Sequence, residues 1–252
     1  MRVAVCVKQI PDPASPYDLD PDTHFVVRPA DQVMDDTDRY GVEMGLQVAE
    51  QTEGTVTLIS MGPSGNLQGI RQALAMGADK AVLVDDASLR GSDSLATAAV
   101  LAAAIKREGF DLVIAGTEST DGYAGILPQQ LAELLDVPAL TFAKKVVVEG
   151  DLVKIERQTQ SGYDEVEAPA PALVSVTAGV VEPRYPTFKG IMQAKSKPVD
   201  TVTAADLGVA PTTQQKIVDI RPAPERASGE IIEDDGNAHL KIVELLEQAK
   251  VI

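Results

Sequence analysis

The sequence predicts an α/β protein, built on a doubly wound, mostly parallel sheet and ending in a C-terminal arm. Short apolar runs rich in β-branched residues recur at residues 3–7, 55–60, 80–84 and 112–116. Stretches of helical length and pattern separate them. Continuous apolar runs of strand length mark strands buried on both faces, and their alternation with helices implies right-handed crossovers between parallel neighbours. The rhythm changes after about residue 136, and residues 208–236 carry no periodic pattern at all.

The first strand is Val3-Ala4-Val5-Cys6-Val7. Pro11, Pro13, Pro16, Pro21 and Pro29 then keep residues 11–33 out of helix, leaving a loop with a hairpin around Phe25-Val26-Val27. Asp35 and Asp36 open a helix whose apolar stripe is Val42, Leu46, Val48 and Ala49, since aspartates at a helix start cap free N–H groups and suit the dipole. The second strand, Thr55–Ser60, is closed by Met61-Gly62-Pro63, and a helix from Leu67 to Met76 stops at Gly77. Lys80–Val84 is the third strand, and residues 92–107 form an alanine-rich helix started by Ser92-Asp93. The fourth strand, Leu112–Gly116, leads through a polar loop to a helix from about Ile126 to Leu135. Beyond it, Val146–Val148 and Leu152–Ile155 flank Glu149-Gly150-Asp151 as a hairpin, and Leu173–Thr177 is a further strand. Residues 181–199 hold three prolines and the main island of basic residues. The chain closes with a helix carrying Leu240, Val243, Leu245 and Leu246. A long patternless stretch does not suit a compact domain, so residues 1–207 are expected as the domain, and residues 208–252 as an arm whose helix buries its apolar face on a partner.

Charge narrows the function classes. Lys plus Arg number 22 against 38 Asp plus Glu, a formal net charge of −16. That balance argues against a nucleic-acid binder and against docking on an anionic membrane, and no apolar run reaches the length of a membrane span. Cys6 is the single cysteine, so no intrachain disulfide forms and a reducing compartment, the cytoplasm, is expected. His24 and His239 lie far apart, without metal-ligand spacing. No nucleophile motif, phosphate-binding G-x-x-x-x-G-K loop or G-x-G-x-x-G is present. Cys6 reads as a buried, inert thiol. In open α/β sheets ligands bind at the C-terminal ends of the strands. Here those ends are Cys6–Lys8, Ser60–Pro63 and Gly116–Gly122. Gly116, Gly122 and Gly125 let backbone approach a ligand, and the free N–H groups near Ile126 and Leu127 suit a phosphate. A merely flexible connecting loop is the alternative.

Two stretches carry a resemblance. Gly69-Ile70-Arg71-Gln72-Ala73-Leu74-Ala75-Met76-Gly77-Ala78-Asp79-Lys80 and Glu182-Pro183-Arg184-Tyr185-Pro186-Thr187-Phe188-Lys189-Gly190-Ile191-Met192-Gln193-Ala194-Lys195 resemble the small (beta) subunit of the electron-transfer flavoprotein family. Val5–Gln9, Gly116–Pro128 and Asp206–Val209 match in order and spacing. The resemblance implies a Rossmann-like, adenine-nucleotide-binding fold and a heterodimer with a larger alpha subunit. It implies electron transfer from flavin dehydrogenases of the acyl-CoA dehydrogenase type towards the quinone pool, by way of a quinone oxidoreductase. FAD is expected mostly in the alpha subunit, with the beta subunit supplying one wall and holding a structural AMP. The implied nucleotide residues are Cys6, Asp35, Met61, Asp121, Gly122, Gly125, Ile126 and Leu127.

Residues 183–197 match the family's partner-recognition loop, with Tyr185, Phe188, Lys189, Ile191 and Met192 as contacts. Phe188 stands where relatives place a leucine that inserts into the dehydrogenase, and Lys189, Lys195 and Lys197 are expected to steer an acidic partner. The chain departs from the family at two places. Gly125-Ile126-Leu127 replaces Asn-Gln-Thr, which leaves only backbone donors for a phosphate, and Arg157-Gln158 replaces an Arg-Glu whose glutamate pairs with the alpha subunit. Asp121-Gly122 matches the pair found in electron-bifurcating members, which hold a second FAD in place of AMP. From another class, a stand-alone adenine-nucleotide sensor shares the architecture but needs neither arm nor recognition loop.

Overall fold

A computed structural model describes residues 1–221, 224, 229, 231–234 and 236–252. It divides into two compact units, Met1–Ile217 and Val218–Ile252. The junction expected after residue 207 falls inside the first unit, where the Gln214 amide donates to the Asp93 carboxylate at 2.7 Å.

The first unit alternates as predicted. Strand β1 (Arg2–Cys6) is followed by a two-stranded antiparallel pair, β2 (Gln9–Ile10) and β3 (Val33–Met34), and by helix α1 (Asp36–Gln51). Then come β4 (Thr55–Met61), α2 (Gln68–Met76), β5 (Lys80–Val84), α3 (Ser94–Glu108), β6 (Leu112–Gly116) and α4 (Leu127–Leu135). The chain continues through β7 (Ala139–Glu149), β8 (Leu152–Gln158), β9 (Tyr163–Pro169), β10 (Ala172–Val176), α5 (Phe188–Ala194) and β11 (Val199–Val202). Nine strands form one sheet in the order β11-β5-β4-β1-β6-β10-β7-β8-β9. It is parallel from β11 to β7, and β8 is antiparallel to both its neighbours, β7 and β9. Chain order reverses about β1: β4 and β5 lie to one side and β6 to the other.

Alternate residues of each strand face opposite sides, and two apolar cores follow from that. Val3, Val5 and Val7 pack with α1 and α2, whereas Ala4 and Cys6 pack with α3 and α4. Helix starts carry the expected caps: Asp35 accepts from the Thr37 amide, and Asp93 from the Ala96 amide.

Several elements depart from the sequence expectation. The hairpin around Phe25 is a single bridge, Leu19 to Val26. Strands β2, β3, β9 and β11 are additional. β9 reads Tyr-Asp-Glu-Val-Glu-Ala-Pro and is an edge strand, so its exposed carboxylates reflect solvent rather than a loop. Residues 183–197 are not an open loop: α5 forms inside them, with Thr187 Oγ1 accepting from the Gly190 amide at 3.0 Å. In the second unit, α6 (Ala238–Gln248) buries none of its residues.

The first family-like stretch has a packing reason for its opening glycine. A Cβ on Gly69 would stand 2.7 Å from Met34 N and 2.9 Å from Val33 C, main-chain atoms that cannot rotate away. Gly69→Ala should therefore lower stability by about 1–3 kcal/mol, as overpacking does. Thermal unfolding checks this: a midpoint lowered by several degrees is expected, and an unchanged midpoint contradicts the close approach of α2 to β3.

Candidate functional site

At the reversal point the loops after β1 and β6 meet the start of α1, and buried charges join them. Asp121 has a side chain only 1% exposed, and it pairs with Lys8 Nζ at 2.6 Å and with Arg28. Burial pushes the Asp121 carboxyl up, but Lys8 and Arg28 outweigh it and hold the group below the usual carboxylate range. The Asp35 carboxylate is also saturated. It accepts from the Thr37 amide and hydroxyl at 3.1 and 2.9 Å, and from the Thr120 amide and hydroxyl at 2.6 and 2.7 Å. One buried carboxylate thus fixes both the helix start and the loop after β6.

Asp38, one turn into α1, is buried and accepts from the Lys8 amide at 2.7 Å. Burial first, and the neighbouring Asp35 second, raise its carboxyl well above the ordinary value. Burial also pushes the Cys6 thiol up to about 12, with Asp38 adding to the shift, so Cys6 is a protonated apolar neighbour rather than a nucleophile.

The residues expected to hold a nucleotide fall into three sets. Cys6, Met61 and Leu127 join the apolar cluster on the α3–α4 side. Asp35 and Asp121 belong to the polar joint, where protein groups already occupy their oxygens. The Gly122 and Tyr123 amides both donate to the Ser119 carbonyl, closing a turn. Gly125 follows with φ at +65°, a conformation that suits glycine. Ile126 is the N-cap of α4 and provides no side-chain cap. Among the described residues, no protein acceptor meets the N–H groups of Gly125, Ile126 or Leu127. Three free donors at the start of α4, on the loop that follows parallel strand β6, have the chemistry that suits an anionic group. These features fit a nucleotide held through its phosphate by main chain.

A family model for the electron transfer flavoprotein domain matches residues 23–207. The chain belongs to the electron transfer flavoprotein family. It is 40% identical over 264 residues to an electron transfer flavoprotein subunit beta of Mycobacterium leprae, covering 100% of this chain and 99% of that protein. It is 34% identical over 274 residues to the subunit beta of Megasphaera elsdenii, with both chains covered fully. It is also 34% identical over 214 residues to subunit CarD of a caffeyl-CoA reductase–Etf complex of Acetobacterium woodii, covering 84% of this chain and 81% of that protein. The family places the chain in electron transport, with flavoproteins. Among the described residues, no helix is long and apolar enough to cross a membrane.

The second family-like stretch lies away from this crevice and exposes its apolar residues. Tyr185 is 85% and Phe188 81% exposed, and Ile191 and Met192 are about half exposed. Lys189 and Lys195 are exposed beside them. Lys197 is different from the expectation. Its ammonium donates to the carbonyls of Leu74, Gly77 and Ala78 at 3.0, 3.1 and 2.6 Å, so it is an internal clasp, not a free steering charge. Arg184 is likewise committed: its side chain binds Glu43 and Glu50 of α1. Sequence reasoning missed Lys8, Arg28, Asp38 and Thr120. Lys8 was within reach of the strand-end rule, whereas Arg28 comes from the proline-rich loop and shows no local pattern.

Asp38 yields a pH prediction. A carboxyl whose folded pKa is raised above its unfolded value binds a proton more tightly in the native state. Stability therefore falls as pH rises from the unfolded pKa towards the raised folded value. Asp38→Asn keeps an acceptor for the Lys8 amide and removes this titration. The variant should be more stable than the parent at neutral pH and should lose its advantage near pH 4. Denaturant unfolding across pH checks this, and an unchanged or lower stability at pH 7 contradicts a raised Asp38 carboxyl.

Proposed function

We propose that this chain is the small subunit of a heterodimeric electron transfer flavoprotein and binds a structural AMP at the Gly125–Leu127 turn. Its larger partner holds the redox FAD, which supplies the electron-carrying chemistry when bound. The small subunit positions that flavin, excludes solvent from one side and contributes no catalytic residue. Electrons come from flavin dehydrogenases of the acyl-CoA dehydrogenase type and pass towards the quinone pool through a quinone oxidoreductase. The observation that carries the nucleotide part is the set of unpartnered N–H groups at Gly125, Ile126 and Leu127. They replace side-chain donors with main chain, and they stand where parallel sheets bind phosphates.

The exposed residues Tyr185, Phe188, Ile191 and Met192 form the surface that meets the dehydrogenase, with Lys189 and Lys195 steering the encounter. The apolar side chains of α6 (Leu240, Val243, Leu245 and Leu246), all exposed, pack on the large subunit. Cytoplasm suits the free Cys6 and the acidic surface.

A second FAD in place of AMP is the other reading, and the Asp121-Gly122 pair favours it. The carboxylate of Asp121 is bound by Lys8 and Arg28 and is not free to hold a larger ligand, which supports AMP. Extraction of nucleotides from the purified heterodimer, followed by mass spectrometry, decides between them. One FAD and one AMP are expected. Two FAD per heterodimer and no AMP would support the second reading, and an isolated chain carrying ATP or AMP without flavin would contradict the carrier function.

A further inference from the structure

We propose that Arg71 and Lys197 are positioning residues for the docking helix α5, each closing the C-terminal end of the other's helix. The inference rests on the docking role assigned to that surface above.

The docking helix has little of its own to hold it in place. It spans seven residues and buries only Ala194. Helices this short are marginal in water without tertiary support, and here the apolar side chains of Phe188, Ile191 and Met192 point away from the core. Polar tethers take over. Arg71 of α2 sends Nη1 to the carbonyls of Ala194 and Lys197, both at 2.7 Å, at the end of α5. In return Lys197, just beyond α5, places its ammonium among the Leu74, Gly77 and Ala78 carbonyls at the end of α2. Free carbonyls and the negative end of the dipole make a helix C-terminus a site for a cation. The two cations thereby clasp the helices reciprocally.

Close approach completes the clasp. A Cβ on Gly190 would collide with the Ala75 carbonyl, so α5 sits against α2 backbone to backbone. The direction in which Phe188, Ile191 and Met192 project is then set by α2. A partner that reads those side chains meets them already ordered and loses less freedom on binding.

The test uses the flavin-loaded heterodimer as electron acceptor for an acyl-CoA dehydrogenase, with acceptor concentration normalised to bound flavin. Phe188→Ala is expected to raise KM roughly 30-fold or more, as loss of an aromatic anchor does. Lys197→Met and Arg71→Gln should each raise KM roughly five- to tenfold while kcat and flavin content stay unchanged. Lys197→Arg should restore most of the loss, because it keeps a cation at the carbonyls. An unfolded fraction would lower the yield of loaded heterodimer rather than raise KM, so the two effects separate. If Phe188→Ala raises KM but neither Lys197→Met nor Arg71→Gln does, the positioning role is wrong and docking stands. If Lys197→Arg fails to rescue, the clasp by charge is wrong. If Phe188→Ala itself leaves KM unchanged, the docking reading fails and the positioning role with it.

Discussion

The Asp35 carboxylate is the joint on which the loops at the C-terminal ends of β1 and β6 depend. It receives four hydrogen bonds, two from the first turn of α1 and two from Thr120 in the loop after β6. Burying a charge costs several kcal/mol unless its lone pairs are satisfied. Asp35 and Asp121 meet that condition by drawing in groups from the loop after β1, the proline-rich loop and the loop after β6. Residues 118–122 are therefore tied down internally, and the turn that follows is left with its N–H groups unused. The proposed phosphate donors are a consequence of where the other polar groups go.

At the other surface, the two stretches that carry the family resemblance are one device. Gly69–Lys80 and Glu182–Lys195 lie more than a hundred residues apart in sequence, yet α2 and α5 share carbonyl clasps through Arg71 and Lys197. Gly69 lets α2 lie close on β3, and Gly190 lets α5 lie close on α2. Arg184, held by the buried Glu43, ties the approach to α5 onto α1. The small residues set distance and the cations set direction. The exposed apolar side chains of a seven-residue helix, Phe188, Ile191 and Met192, have this framework behind them.

Much of this was legible in the sequence because its physics is local. The apolar runs of β1, β4, β5 and β6 are buried on both faces, so burial alone wrote them plainly. Asp35 and Asp93 announced their helices because capping involves residues two or three positions apart. The acidic edge strand β9 escaped notice because solvent, not packing, chose its side chains. Helix α5 escaped because tethers from α2 stabilise it, and Lys197 was misjudged because its partners lie about 120 residues away. Before α4 the turn was readable from its glycine, and Gly125 takes φ +65° there. The pairing of Asp121 with Arg28 was not, since nothing near either residue reports the other.

The central claim is that main-chain donors at a single turn hold the nucleotide. Hydrogen–deuterium exchange at residue level, comparing the heterodimer as purified with the same heterodimer stripped of its adenine nucleotide, tests it most directly. The amides of Gly125, Ile126 and Leu127 should exchange slowly in the loaded protein and much faster in the stripped one, while Thr120, held by Asp35 in either state, should change little. Equal exchange at residues 125–127 in both samples, with protection appearing elsewhere, would contradict the account.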